Sequence, residues 1–249
     1  MELAIGRERG SPIRVCTGIP CDIHWSAELG GYRVQIPKGE LVYIENFFGR
    51  EVSDRAISYF QENDSFDWKS HCWRGVSHDH FQAIQFANIQ WKQEYIGMYG
   101  RRIPLPRLTS LYADADLSYS YSGLVSTANE WNKGLLYLRE RVESFAGHRF
   151  NSVLLNWYRD GKDGLSWHAD DEPELGRNPI IASASFGSSR DFTLRMNHDH
   201  QLKLTLPLRH GSLLLMHGQI QHYWQHCVPK RKNVSASRFN LTFRRIERF

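Results

Sequence analysis

The chain has 249 residues, with 31 Lys and Arg against 27 Asp and Glu for a net charge of +4. Hydrophobic residues make up 41% and charged residues 23%, the balance of a globular protein and not of a disordered or collagen-like one. No apolar run approaches the ~20 residues of a membrane-spanning helix. The opening MELAIGRERG also lacks the apolar stretch of a secretory signal, which predicts a cytoplasmic protein (nuclear in a eukaryote) with no membrane partner; a monomer is expected, though no residue pattern fixes the oligomeric state.

The first 38 residues mix Gly, Pro and charge without sustained periodicity, and read as an extension ahead of a main domain over 39–249. Glu40-Leu-Val-Tyr-Ile-Glu45 reads as a strand. Ser53 stands where a helix N-cap would, ahead of a helix over 54–63 with Ala56, Ile57 and Phe60 at helical spacing. A second helix is predicted over 130–146, where Leu135, Leu138, Val142 and Phe145 form one stripe and Gly147 supplies the stop. Short β-like runs follow at 151–158, 165–170, 180–186, 191–196, 202–208, 212–217, 222–228 and 238–246. Turn pairs such as Asp160-Gly161, Asp163-Gly164 and His210-Gly211 separate them. Such closely spaced strands point to an α+β, mainly β protein whose C-terminal half is a sandwich, barrel or jelly roll. No glycine-rich nucleotide fingerprint is present, which argues against a nucleotide-binding α/β fold.

Cys16, Cys21, Cys72 and Cys227 include no C-x-x-C pair, so free thiols are expected over a zinc site built with His24. Charge is uneven: residues 228–249 hold seven cations against Glu247 alone, and Arg101, Arg102 and Arg107 form a second group. Clusters of this kind suit an anionic partner such as nucleic acid, or make a solvated basic face.

In Leu165-Ser-Trp-His-Ala-Asp170, strand alternation puts His168 and Asp170 on one face, where both could reach one metal ion. A third ligand would come from His222 or His226. Two His and a carboxylate make the facial triad of non-haem iron oxygenases, though zinc hydrolases use similar ligands. In Arg238-Phe-Asn-Leu-Thr-Phe-Arg244, alternation places Arg238, Asn240, Thr242 and Arg244 together, with Phe239, Leu241 and Phe243 opposite. Inward-facing arginines call for an anion, and a small dicarboxylate suits a guanidinium fork. Asn156 and Tyr158 offer an amide and a phenol to the same ligand.

The ordered set N-x-Y (156–158), H-x-D-D-E (168–172), PIIASxSFG (179–187), GSLL (211–214), His226 and R-x-N-x-T-x-R (238–244) resembles the AlkB family of Fe(II)- and 2-oxoglutarate-dependent nucleic-acid dealkylases, nearest its duplex-DNA repair branch. The resemblance covers roughly 40–249. It implies a double-stranded β-helix, or jelly roll, with a nucleotide-recognition lid at about 85–125. It further implies iron ligation by His168, Asp170 and His226, with 2-oxoglutarate and O2 as cosubstrates. Arg238, Asn240 and Tyr158 would take the far carboxylate of 2-oxoglutarate, with Asn156 and Arg244 by the iron-bound end. The implied chemistry is oxidation of an N-methyl group on 1-methyladenine or 3-methylcytosine in DNA, releasing formaldehyde, succinate and carbon dioxide.

The stretch from Pro106 to Gly123 is similar to the lid of that branch, with Tyr119 and Tyr121 matching its base-contacting aromatics and Tyr99 its intercalating wedge. Arg101, Arg102 and Arg107 would hold flanking phosphates, as would Arg231 and Lys232 in the basic loop after His226. Asp171 or Glu172 could favour a cationic base, or could cap the turn at Pro173. Methylated RNA or protein, or a catalytically silent nucleic-acid-binding jelly roll, are the competing readings.

Overall fold

The computed structural model describes residues 10–16, 18–71, 73–98, 101–115, 117–121 and 124–247. In chain order it runs β1 (Arg14–Val15), β2 (Asp22–Ser26), β3 (Gly31–Ile36), β4 (Gly39–Ile44), α1 (Arg50–Gln61), α2 (His78–Ala83), β5 (Tyr95–Met98), β6 (Arg101–Pro104), β7 (Leu108–Ala113), β8 (Ser118–Tyr121), β9 (Leu124–Thr127) and α3 (Lys133–Ala146). The C-terminal half adds β10 (Ser152–Tyr158), β11 (Leu165–His168), β12 (Ile181–Gly187), β13 (Arg190–Met196), β14 (Lys203–Leu208), β15 (Ser212–Gly218), α4 (Ile220–Tyr223), β16 (Trp224–Val228) and β17 (Arg238–Arg244). Two antiparallel sheets dominate, ordered β2-β3-β4-β15-β12-β17-β10-β7 and β1-β14-β13-β16-β11. They face each other as the jelly roll expected.

Alternation along β17 makes the two sides of the larger sheet chemically different. Phe239, Leu241 and Phe243 join Phe60 of α1 and Leu135, Leu138 and Val142 of α3 in one core, with Phe60 and Phe239 rings 5.4 Å apart. The opposite side of that sheet meets the smaller one through Tyr43, Ile181, Leu214, Phe192, Leu194 and Leu206. Arg238, Asn240, Thr242 and Arg244 project into the space between the sheets, all buried.

Several expectations are corrected. Residues 22–36 are not irregular: they form a hairpin, and β3 pairs with β4 in the larger sheet. Val34 and Ile36 are buried in the core, so the pattern Tyr32-x-Val34-x-Ile36 is an ordinary alternating strand hidden among glycines and charges. Helix α1 begins at Arg50, a turn before Ser53. The Ser53 hydroxyl donates back to the Phe48 carbonyl at 3.1 Å inside the first turn and caps nothing, and the N-cap is Gly49. Asn132 is the N-cap of α3, accepting from the Leu135 N–H, and Gly147 closes that helix at φ 60° as expected. The run 222–228 is divided between α4 and β16, because the His222 and Tyr223 N–H groups turn back onto the Gln219 carbonyl. No helix is long and apolar enough to cross a membrane among the described residues.

Candidate active site

Strand β10 and strand β17 lie side by side in register, with Asn156 opposite Asn240 and Tyr158 opposite Arg238. Their pocket-facing side chains are therefore adjacent by construction. Across the cavity, β11 pairs with β16 so that His168 stands opposite His226. The register is interrupted between Leu165 and His168, and the strand ends at His168. Asp170 thus reaches the metal cluster from beyond the strand and not by alternation within it. Its backbone N–H donates to the Gln221 side-chain carbonyl at 3.0 Å, which holds the turn in place.

Donor atoms of His168, Asp170 and His226 all lie within 4.8 Å of one another. The His168 Nδ1–H donates to the Ser166 carbonyl at 2.9 Å, leaving Nε2 as a lone pair 3.9 Å from Asp170 Oδ1. Burial pushes His226 down to about 3, with the neighbouring His168 adding to the effect and Asp170 opposing it. Burial likewise lowers His168. Burial alone would raise Asp170, but Arg244, His226 and His168 overcome it and hold the carboxyl at about 2. Two neutral imidazoles and one ionised carboxylate are the protonation states a divalent metal needs. His222 is exposed on α4 and hydrogen-bonds the Arg177 carbonyl, so of the two candidates His226 belongs to the cluster.

Arg238 is buried at the other end of the cavity, where desolvation lowers its guanidinium to about 10. Its Nη2 donates to Ser185 Oγ at 2.9 Å, while Nε and Nη1 have no hydrogen-bond partner, nor does the buried Tyr158 hydroxyl. Orphaned donors on a buried cation are costly unless a ligand takes them. A carboxylate fits them. Asn240 is different: its amide donates to Ser183 Oγ and the Ala184 carbonyl and accepts from Thr242, so it stiffens the wall beside Arg238. Arg244 donates to Asp170 Oδ1 at 2.8 Å and ties the arginine strand to the metal cluster.

Arg107 is corrected. It is buried, and its Nε donates to Asn156 Oδ1 at 2.8 Å, so it faces the cavity and cannot stand with exposed Arg101 and Arg102 as a surface grip. Arg231 is exposed but paired with Asp191, and Lys232 is exposed. Asp171 is exposed, whereas Glu172 keeps a buried Oε2 without a hydrogen-bond partner and burial raises its carboxyl. Neither acid caps the Pro173–Leu175 turn: Glu172 occupies the cap position without a side-chain bond. Tyr119 and Tyr121 fall in β8, but their side chains lie outside the described part of the structure, and Tyr99 and Cys72 lie outside the described residues altogether. Cys16, Cys21 and Cys227 are free thiols. Residue patterning alone missed Gln221, because its role is to fix a backbone turn and no motif spacing marks it.

The profile of the 2OG-Fe(II) oxygenase superfamily matches residues 40–244. The alpha-ketoglutarate-dependent dioxygenase alkB homolog 3 of Rattus norvegicus is 43% identical over 168 residues, 64% of this chain and 56% of that protein. The DNA oxidative demethylase ALKBH2 of Homo sapiens is 42% identical over 176 residues, 65% of this chain and 67% of that protein, and that of Mus musculus 41% over 175 residues, 65% and 73%. The chain spans little more than half the length of the alkB homolog 3 proteins it matches. The metal cluster, the orphaned arginine donors and this breadth of match have one explanation: the chain belongs to the 2OG-Fe(II) oxygenase superfamily and, within it, to the AlkB family of dioxygenases, which use Fe(II) with 2-oxoglutarate and O2.

Proposed function

We propose that this chain oxidatively removes methyl groups from the ring nitrogens of nucleobases, with 1-methyladenine and 3-methylcytosine in DNA as its substrates. The observation that supports it is a single cavity holding both the His168–Asp170–His226 cluster and Arg238, whose two buried nitrogens lack partners. His168, Asp170 and His226 would hold Fe(II), which when bound would supply oxidation of the methyl carbon by O2, with 2-oxoglutarate as the co-reductant leaving as succinate and carbon dioxide. The hydroxymethyl product then breaks at its C–N bond, giving formaldehyde and the bare base. Arg238 and Tyr158 orient 2-oxoglutarate from its far carboxylate, and Asn156 and Arg244 border the metal-side end. Exposed Arg101, Arg102 and Lys232 suit a polyanion such as nucleic acid, and similarity to the DNA oxidative demethylase ALKBH2 favours DNA before RNA.

On this reading Tyr119 and Tyr121 grip the extruded base and Tyr99 fills the gap it leaves, because base–aromatic stacking worth ~1–3 kcal/mol offsets the loss of stacking in the duplex. Asp171 or Glu172 favours the cationic methylated bases over neutral ones. The test is succinate release by the iron-loaded protein with matched methylated and unmethylated single-stranded DNA, duplex DNA and RNA, the oligonucleotides then being weighed by mass spectrometry. Loss of methyl mass from DNA with stoichiometric succinate is expected. Turnover on methylated RNA alone would move the substrate to RNA, and no methyl loss from any oligonucleotide would overturn the reading.

A further inference from the structure

The smaller sheet buries one face and leaves the other to solvent. Buried and half-exposed residues alternate along β13 and β14, with Phe192, Leu194, Leu204 and Leu206 inward. The outward side chains are unusual for a bare sheet face. Arg195 sits opposite Lys203 on one side and Gln225 on the other, and Arg14 sits opposite Thr205. Arg195 donates twice to Gln225 Oε1, at 3.0 and 2.7 Å, which aims its guanidinium at Trp167, 4.1 Å from the ring centroid. Asp191, the single carboxylate among the outward residues of the described strands of this sheet, is already bracketed by Arg14 at 2.8 Å and Arg231 at 2.6 Å. Arg14, Arg195, Lys203 and Arg231 thus put four cations around this one acid, and Lys230 and Lys232 are exposed in the same loop as Arg231.

The loop carrying three of those cations is built in place. Buried Arg190 donates to the carbonyls of Asp160, Asp163 and Pro229, and the Arg231 N–H donates to the Gly161 carbonyl at 2.7 Å. A fixed array of this kind loses little freedom on binding. Five strands at about 4.8 Å spacing give a surface roughly 19 Å across, which five or six phosphates of a strand rising ~3.4 Å per nucleotide would cover. The face also starts next to the reaction centre, since Trp167 immediately precedes His168 in β11.

Resting on the function proposed above, we propose that the outer face of the smaller sheet, crossed from edge to edge by Arg14, Lys203, Arg195 and Trp167, binds the phosphodiester backbone of duplex DNA beyond the damaged nucleotide. The residues used lie on the opposite side of the sheet from the cavity.

The test compares the triple variant Arg14→Gln/Arg195→Gln/Lys203→Gln with a control removing three exposed cations elsewhere, Arg50→Gln/Arg55→Gln/Arg149→Gln, by fluorescence anisotropy on a labelled duplex containing one 1-methyladenine. Circular dichroism melting checks that both fold. Wild type should bind with an affinity that falls steeply with salt. The sheet variant should lower the slope of log Kd against log salt by about 2 to 3 and weaken duplex binding tenfold or more at low salt, since each lost phosphate contact removes ~0.9 from the slope. The control should change the slope by less than about 1. Equal slopes in the sheet variant and wild type, or equal losses in both triples, would overturn the assignment and leave the proposed function standing. Wild-type protein that binds neither duplex nor single strand would remove both.

Discussion

A guanidinium enclosed with unsatisfied N–H groups destabilises the protein that contains it, and Arg238, whose Nε and Nη1 have no hydrogen-bond partner, is such a group. Replacing it should therefore move stability and affinity in opposite directions. Arg238→Met, which fills the space without charge, should raise the urea midpoint of the cosubstrate-free protein. The same change should weaken 2-oxoglutarate binding by ~2–5 kcal/mol, because the far carboxylate loses its buried partner. Titration calorimetry and urea melts measure the two signs, and an unchanged 2-oxoglutarate affinity would sink the assignment. His226 carries a pH prediction for metal-stripped protein. Its folded value of about 3 lies below the ~6.5 of an unfolded histidine, so unfolding takes up a proton between those values. The stability this contributes is complete above pH ~6.5 and drains as pH falls towards 3, with Asp170 adding a further loss below ~4. Urea midpoints should hold down to about pH 6.5 and then fall steadily to pH 5, and His226→Gln should make that fall shallower. A midpoint flat with pH would mean the imidazole is not buried neutral.

At the scale of elements, legibility followed periodicity. β17 was readable because its alternation is unbroken over Arg238–Arg244, and α3 because a stripe, a cap and a stop glycine agree. α1 was misplaced at its start because Ser53 has a competing bond inside the helix, which sequence position does not reveal. The metal cluster was legible as residues but not as geometry. Asp170 arrives through a turn held by Gln221, and the buried fate of Arg107 depends on Asn156, a partner 49 residues away. Tight approach between elements was equally invisible. A Cβ at Gly161 would stand 1.6 Å from the Arg231 carbonyl oxygen, on backbone that cannot yield like a flexible side chain. Gly161→Ala should push the 230–232 loop off its seat and destabilise by about 1–3 kcal/mol, as forced overpacking does. Urea unfolding measures the loss, and a neutral substitution would show that the two loops do not touch.

At the scale of the molecule, the match to the superfamily begins at residue 40, yet the larger sheet begins at Asp22. β2 and β3 cover the edge of β4, and Ile13, Ile19, Val34 and Ile36 close the core between the two sheets. β1 also pairs with β14, so the N-terminal region touches both sheets. Removing these strands would uncover Leu41 and Tyr43, now fully buried, and leave β4 as a bare edge available for pairing with other chains. Each buried aliphatic side chain lost forfeits about 1.5–3 kcal/mol, so four of them rival the entire stability of a typical domain. A chain starting at residue 39 should therefore express mainly as aggregate, or melt far below the full chain, although it holds every residue of the metal cluster and of the arginine strand. Soluble yield, size-exclusion elution and thermal melting of the two chains decide it. A truncated protein that is soluble and melts within a few degrees of the full chain would return residues 1–38 to the status of an extension.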